Sequence, residues 1–551
     1  MMKLRGIGAS KGIAIGKVLI KKQCNITTDK KSIQSIDNEM ERLEDAKKQA
    51  IEQLKQLQDN ATKNIGESEA RIFEVHQMIL QDEDFMGRAK EIIQNEAVNA
   101  EYAVSCTGKE YSSLFKEMED PYMRERAADI VDISKRLLEL LTNQQDLSLS
   151  ELTEPVIIAA KDLLPSDTVK IDQKKVLGFI LEEGGKMSHS SILARTMKIP
   201  AIVGVQSVLS KIQDGDEVIL DGENGYVMIT PNSEVKNEWL KKQKEYKIKL
   251  NRFNQLKGTK SITKDGVVVK VNANIGMPED VDAAIENDAE GIGLFRSEFL
   301  YMNSKTMPSE EKQFKAYKTV LEKMKDKMVI IRTLDVGGDK EIAYLQIPKE
   351  SNPFLGYRAI RICLDKTDLF KTQLRALLRA SIYGKLGIMF PMICTLEEVQ
   401  KAKKILEEVK KSLQNEKIPF SEDIEIGIMI ETPAAAMISD ILAKEVDFFS
   451  IGTNDLTQYT IAVDRMNSQV AYLYNTHHLS VLRLIQKTIE NGHKENIWVG
   501  ICGEAAADPT LTKIFVAMGI DELSVNSGSV LEIRQMIQNI NKKESKAKLK
   551  I

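Results

Sequence analysis

The sequence predicts a multidomain protein: an α/β domain interrupted by a helical bundle, followed by a C-terminal (β/α)₈ TIM-type barrel. Three observations carry this reading. At 551 residues the chain is too long for one ordinary hydrophobic core. From Ser32 to about Thr142 there is one proline and only three glycines, whereas the segments on either side are glycine-punctuated and rich in apolar runs. Beyond Lys260, strand-like and helix-like patterns alternate over roughly 280 residues, the texture of a parallel barrel. A doubly wound open sheet is the rival, but no GxGxxG follows any strand.

In chain order, residues 4–23 alternate apolar residues with glycines and suit one or two short strands. Ile36, Met40, Leu43, Ala46, Ala50, Leu54 and Leu57 then fall at steps of three or four, giving one apolar stripe along a helix. Shorter helical patches surround Ile72–Leu80 and Tyr102–Phe115. Asp120-Pro121 reads as an N-cap and first helical residue, continued by Met123, Ala127, Ile130, Leu137 and Leu140. Short β and α segments return over 150–230, with strands at Pro155–Ala159, Val176–Leu181, Val218–Asp221 and Tyr226–Thr230. Residues 233–256 are charged, lack glycine and proline, and suit a helical connector.

Eight barrel strands are expected at Val267–Asn274, Gly291–Phe295, Met328–Leu334, Gly387–Ile393, Glu425–Ile430, Phe448–Ile451, Trp498–Cys502 and Glu522–Val525. Helices over Ser309–Lys325, Leu396–Leu413 and Val470–Asn491 lie between them. The expected divisions are 1–31 with 143–230 for the α/β domain, 32–142 for the insertion, 231–258 for the linker, 259–541 for the barrel and 542–551 for a charged tail.

Composition excludes some classes of function. The net charge of −4 gives no field to attract nucleic acid or an anionic membrane. No apolar run approaches the roughly 18 residues of a bilayer span. Glycines and interior lysines set residues 1–22 apart from a secretory signal. The five cysteines, Cys24, Cys106, Cys363, Cys394 and Cys502, lack CxxC spacing and read as free thiols of a reducing compartment. A soluble cytoplasmic protein is expected.

The chemistry concentrates in two places. In Gly184-Gly185-Lys186-Met187-Ser188-His189-Ser190-Ser191-Ile192-Leu193-Ala194-Arg195, a strand hands over to a helix at His189. Serines there can cap free backbone N–H groups, and the glycines permit close approach by another molecule. A helix start also favours phosphate. Imidazole, with a free pKa of about 6.5, is a competent nucleophile at neutral pH. His189 thus reads as a relay for a phosphoryl group.

The second place is the carboxyl ends of the barrel strands. Arg296 and Glu298 follow the second strand, Arg332 and Asp335 the third, Glu431 the fifth, Asn454-Asp455 the sixth and Cys502 the seventh. Barrel chemistry gathers at this face. Arg296, Arg332, Arg358 and Arg465 offer planar forks for phosphate and carboxylate oxygens. Lys340 adds a point charge. Glu431 and Asp455 supply hard carboxylate oxygens of the kind that hold Mg²⁺. Cys502, with a free-thiol pKa of about 8.5, is protonated at neutral pH and can act as an acid. Cys363 and Cys394 have no such setting, His76 reads as structural, and His477-His478 lacks the further ligands of a metal site.

The His189 segment resembles the phosphohistidine signature of enzyme I of the bacterial sugar phosphotransferase system. GLFRSEFLYM, RTLDVGGDK, NPFLGYRAIR, MIETPAA, IGTNDLTQYTIAVDR and GICGEAAAD resemble that family's barrel motifs. The resemblance runs from about Arg5 to Ser527. The family more often has arginine at the place of Lys186 and threonine at those of Met187 and Ser190.

The resemblance implies a swivelling phosphohistidine domain and a helical insertion that binds the phosphocarrier protein HPr. It also implies a dimer through the barrel. Arg296, Arg332, Asn454 and Arg465 would hold phosphoenolpyruvate, with Arg358 and Lys340 nearby. Glu431 and Asp455 would ligate Mg²⁺, and Cys502 would protonate the enolpyruvate carbon. Thr168 matches a threonine that hydrogen-bonds the active histidine, and Gly184, Gly185 and Arg195 belong to its signature. One histidine serving two partners requires a domain swing. Two other readings remain: a dikinase or phosphoenolpyruvate synthase, although no GxxxxGK[ST] loop occurs, and a regulatory scaffold without catalysis.

Overall fold

The computed structural model describes residues 1–21, 26, 28–64, 67–117, 126–144, 152–168, 171–172, 174–185, 188–302, 304, 306–338, 342–467 and 469–547. Within these, the side chains of residues 63, 64, 67–69, 71, 116, 168, 189, 196 and 343 are not described. Cys24, the Asp120-Pro121 helix start, Met123, Lys186, Met187 and Lys340 lie outside the described residues. The chain forms two units, Met1–Leu250 and Asn251–Ile551.

The first unit is built on a mixed sheet of eight strands. They are β1 (Met2–Arg5), β2 (Ile7–Ser10), β3 (Ile13–Ile20), β4 (Val156–Ala160), β5 (Val176–Leu181), β6 (Ala201–Val203), β7 (Glu217–Asp221) and β8 (Tyr226–Ile229). Their order is β1-β8-β7-β3-β4-β5-β6-β2, with β3 to β6 parallel. The amino-terminal segment thus supplies three strands rather than one or two. The glycine at position 12, with φ 131°, turns the chain between β2 and β3.

Between β3 and β4 lies the helical insertion. Its first helix, Ile36–Asn64, buries Leu43, Ala46, Ala50, Leu54 and Leu57 along the expected stripe, while Ile36 at its start is exposed. Glu67–Gln81, Ala100–Glu117 and Ala127–Thr142 complete the bundle with one further helix, Glu83–Glu96. That helix was missing from the sequence reading. Asp82 caps it, its carboxylate accepting from the Asp84 N–H at 2.9 Å. His76 is wholly buried, with Nε2 3.2 Å from Asp129 Oδ1 and its ring edge-on to Phe73. Asp132 ties the insertion to the sheet layer: its carboxylate accepts from the Ser166 N–H (3.1 Å) and Oγ (2.7 Å). The charged connector is a helix, Ser233–Gln255, none of whose residues is buried.

The second unit is a closed parallel barrel. Its strands are β9 (Lys270–Ile275), β10 (Ile292–Arg296), β11 (Val329–Arg332), β12 (Leu386–Phe390), β13 (Glu425–Ile430), β14 (Phe448–Ile451), β15 (Trp498–Ile501) and β16 (Glu522–Asn526). All eight expected strands are present. Outward residues such as Val271, Ile331, Ile388 and Phe449 pack on the surrounding helices, while Leu294, Ile330, Met389, Met429 and Phe448 fill the interior. Phe448 and Trp498 stack with ring centroids 4.6 Å apart.

Two expectations are corrected here. The helix predicted over Val470–Asn491 is a short turn at Ala471–Leu473 and a helix at Leu479–Lys494. His478 starts the latter by accepting the Ser480 N–H on Nδ1. The charged tail opens with a helix, Lys542–Ala547, because Asp265 accepts from the Lys542 and Lys543 N–H groups at 2.8 and 3.0 Å. These bonds hold the Asp265 carboxyl down at about 2.

Candidate active site

The carboxyl ends of the barrel strands enclose a cavity of about 180 Å³. Local sequence explains how its walls are built. Glu431 ends β13, and Thr432-Pro433 begins a helix at once, the threonine capping the Ala435 N–H. A helix over Thr453–Ile461 follows β14, placing Asn454 and Asp455 in its first turn. Arg296 and Arg332 end neighbouring strands and stand opposite each other in register. Cys502 follows β15 directly.

Ten of the residues singled out in the sequence line this cavity: Arg296, Glu298, Arg332, Asp335, Arg358, Glu431, Asn454, Asp455, Arg465 and Cys502. Arg332 is buried, with Nη2 2.6 Å from Glu298 Oε1 and 2.9 Å from Asp335 Oδ2. Arg358 Nη2 lies 3.0 Å from Asp335 Oδ1 and 3.2 Å from Asp455 Oδ2, and its Nη1 donates to the Tyr459 hydroxyl at 3.1 Å. Burial alone would depress both guanidiniums. The carboxylates outweigh it and hold each above its ordinary value, led by Asp335 with Glu298 for Arg332 and by Asp335 with Asp455 for Arg358. Both stay charged.

Arg296 differs. It is half-buried and makes no hydrogen bond or ion pair to the described residues, so its fork is available to a ligand. Arg465 reaches only to 3.9 Å from Asp455 Oδ1. Asn454 and Glu504 lock together, Nδ2 donating to Oε1 at 3.2 Å and the Glu504 N–H donating to Oδ1 at 3.0 Å.

Glu431 accepts the Met392 N–H on Oε1 at 2.6 Å. Burial, then the charges of Asp455 and Asp335, push its carboxyl up to about 8. Cys502 is buried and its thiol lies 3.8 Å from the Ile451 carbonyl. Burial pushes that thiol up to about 11, so it keeps its proton at neutral pH.

Sequence reasoning overlooked Gly452, Gly503 and Tyr459. A Cβ on Gly452 would sit 2.9 Å from Glu431 Oε2, and one on Gly503 would collide with Thr453. Both glycines lie inside quoted motifs, but only the folded backbone reveals the crowding.

The other candidate residues belong to the first unit. Gly184 adopts φ 98°, a conformation glycine enters without strain, and turns the chain after β5. The Gly185 carbonyl then accepts the Ser188 N–H (3.1 Å), Ser188 Oγ (2.9 Å) and Ser191 Oγ (2.6 Å). Ser188 caps the helix His189–Thr196, so His189 is its first residue, as the serines suggested. The helix stops short of Ile199, and β6 follows Pro200. Ser190 is buried and donates to Asp162 Oδ1 at 2.6 Å. Arg195 Nη1 reaches the Ala9 carbonyl at 3.3 Å. Thr168 ends the short helix Pro165–Thr168, whose Ser166 is clamped by Asp132.

Among the described residues no group of three or more His, Cys, Asp or Glu side chains converges as a metal cage, and no helix is long and apolar enough to cross a membrane.

Comparison with known proteins follows the same division of the chain. Residues 251–542 match the family described as PEP-utilising enzyme, PEP-binding domain; residues 5–126 match its N-terminal part and residues 152–225 its mobile domain. The chain is 47% identical over 540 residues to phosphoenolpyruvate-protein phosphotransferase of Priestia megaterium, covering 98% of this chain and 94% of that one. It is likewise 47% identical over 547 residues to the protein of that name from Bacillus subtilis, covering 99% and 96%. A solution structure of an enzyme I protein is 34% identical, covers 44% of this chain and 99% of its own, and superposes with a TM-score of 0.39. A chain matched at this identity over nearly its whole length is a member of the same family, and this one belongs to the phosphoenolpyruvate–protein phosphotransferases of the PEP-utilising enzymes.

Proposed function

We propose that this chain moves the phosphoryl group of phosphoenolpyruvate onto His189 and from there to a histidine of the phosphocarrier protein HPr, releasing pyruvate. The observation that carries the proposal is one cavity holding guanidiniums, paired carboxyls and a protonated thiol together. Phosphoenolpyruvate is a small polyanion with a carboxylate and a phosphate, and the forks of Arg296, Arg332, Arg358 and Arg465 suit both. Arg296, which has no carboxylate partner among the described residues, takes substrate oxygens directly. Arg332 and Arg358 are held in place by Glu298, Asp335 and Asp455, so they need no reorganisation as charge shifts.

The residues present fit a divalent cation. Four arginines line the cavity against five carboxyl side chains, so by itself it does not favour a polyanion. Asp455 Oδ1 is buried without a hydrogen-bond partner among the described residues, and Glu431 uses only Oε1 toward the backbone. Glu431 and Asp455 would hold Mg²⁺, a hard cation that two carboxylates suit. Magnesium supplies charge neutralisation at the transferring phosphoryl group. Cys502 delivers its proton to the enolpyruvate carbon, which converts enolpyruvate to pyruvate and draws the transfer forward.

His189 heads its helix with Ser188 capping beside it, which supports its role as the nucleophile. HPr docking on the helical insertion and a homodimer through the barrel belong to the same reading. Exposed Met437, Ile441, Tyr472, Leu473 and Leu479 on the barrel unit support the dimer. Incubation with Mg²⁺ and phosphorus-labelled phosphoenolpyruvate is the test. The parent should acquire acid-labile label and His189→Ala none; equal labelling of the variant would refute the proposal.

A further inference from the structure

The barrel interior is not uniformly apolar. On β9 and β16, which pair in parallel, the inward residues are Asn272, Asn274, Glu522 and Ser524. Asn272, Glu522 and Ser524 are buried and Asn274 is half-buried. The other strands turn Leu294, Ile330, Met389, Met429 and Phe448 inward, together with Glu425 at the foot of β13 and Ser450 on β14, which hydrogen-bonds the Cys502 thiol beyond β15. A polar seam thus runs up one side of a mainly apolar core.

The seam meets the cavity wall at the backbone of Cys502. Ser524 Oγ donates to Asn274 Oδ1 at 2.6 Å, and Asn274 Nδ2 donates to the Ser524 carbonyl at 3.1 Å and to the Cys502 carbonyl at 3.2 Å. Below this, Asn272 hydrogen-bonds the Glu522 carboxyl. Gly293 on β10 leaves the space that Glu522 Oε1 and Ser524 Oγ share, since a Cβ there would collide with both. Gly500 makes room on the other side, its Cβ position lying 3.3 Å from Glu522 Cβ. Asn272 Oδ1 is buried with no hydrogen-bond partner among the described residues.

Burying a carboxyl without a cation is costly, and a hydrophobic residue would serve packing better. The titratable groups facing Glu522 are Lys270 on β9, Glu425 on β13, Asp521 just before its own strand and Cys502. Among the described residues none forms an ion pair with it. Burial pushes Glu522 up to about 7, so near neutral pH it can both give and take a proton.

The proposed reaction has a need that this group meets. Each forward turnover takes the proton from the Cys502 thiol, and substrate fills the mouth through which water would otherwise replace it. We infer that Glu522 is a positioning residue that returns the proton to Cys502 by way of the Ser450 hydroxyl, which stands in register with it across Gly500. The balance is simple. The S–H bond of Cys502 breaks as a C–H bond of the pyruvate methyl forms. The thiolate then takes the proton of the Glu522 carboxyl, and the resulting carboxylate recovers one from solvent at the barrel floor, beside exposed Lys270.

The inference rests on Cys502 being the proton donor, and the experiment separates the two ideas. Exchange of carbon label between pyruvate and phosphoenolpyruvate is followed with Mg²⁺ in deuterium oxide, together with deuterium entering the pyruvate methyl. Glu522→Gln is expected to leave carbon exchange near the parent rate while deuterium gained per exchange falls about 10-fold or more. Ser450→Ala, which removes the hydroxyl beside the thiol, should lower the same ratio. An unchanged ratio, or carbon and deuterium exchange falling together in both variants, overturns the inference. Cys502→Ala should lose exchange altogether; carbon exchange at the parent rate in that variant would instead sink the role of Cys502.

Discussion

Glu431 and Gly452 are in contact across the mouth ends of β13 and β14: a Cβ on residue 452 would lie 2.9 Å from both Glu431 Cβ and Oε2, and 3.0 Å from Met429 Sδ. The glycine is what lets the carboxyl stand beside Asp455. Gly452→Ala should cost about 1–3 kcal/mol through overpacking. It should also slow labelling by phosphoenolpyruvate about 100-fold by displacing Glu431. Urea unfolding and a labelling time course measure the two effects. Parent-like labelling would show that the carboxyl tolerates the shift.

Arg358 bridges Asp335, Asp455 and Tyr459 from a buried position. Arg358→Leu leaves two buried carboxylates short of their partner and should destabilise the protein by about 3–5 kcal/mol. Arg358→Lys should recover only part of that, since one ammonium cannot reproduce the fork. Denaturation midpoints of the three proteins at neutral pH give the ranking.

The Glu431 carboxyl is pushed up to about 8 by burial and by Asp455 and Asp335, far above the value of an exposed glutamate, about 4.3. Between those values the native state keeps a proton that the unfolded chain has lost. Its contribution to stability is therefore full below the unfolded pKa and is lost as pH rises through about 8. Without divalent cations the parent should lose stability between pH 6 and pH 9, roughly over that window, and Glu431→Gln should lose less. Added Mg²⁺ should stabilise the parent more at the upper end than the lower, as read by thermal unfolding.

Ser190, next to His189, donates to Asp162 Oδ1 at 2.6 Å from a buried position. Ser190→Ala should cost about 1.5–3 kcal/mol, the range for a hydrogen bond to a charged group. Ser190→Thr keeps the hydroxyl and should stay near the parent. If both variants unfold at the parent's midpoint, the bond contributes nothing.

Barrel strands were legible because each is a short apolar run closed by a polar residue or a glycine, as in GIMI before Glu431 and FFSI before Gly452. The Glu83–Glu96 helix was not, because its buried residues, Phe85, Met86, Ala89, Ile92 and Ile93, form a weaker stripe within a charged stretch. β6 has only three residues and follows a proline, below the length at which alternation carries a signal. At the site, residue types at strand ends announced the arginines and carboxyls. Their pairing did not follow, since Arg358 and Asp455 stand 97 positions apart and meet only when the chain folds back. The polar seam was invisible for the same reason: Asn274 and Ser524 sit at opposite ends of the unit.

Closure of the barrel joins β9 to β16, pairing Asn272 with Ser524. The ring of strands is thus sealed by the last of them to leave the ribosome. Until that final strand docks, Cys502 has no floor beneath it. The mouth of the barrel is therefore complete only late in synthesis, and a chain ended before β16 would leave the ring open.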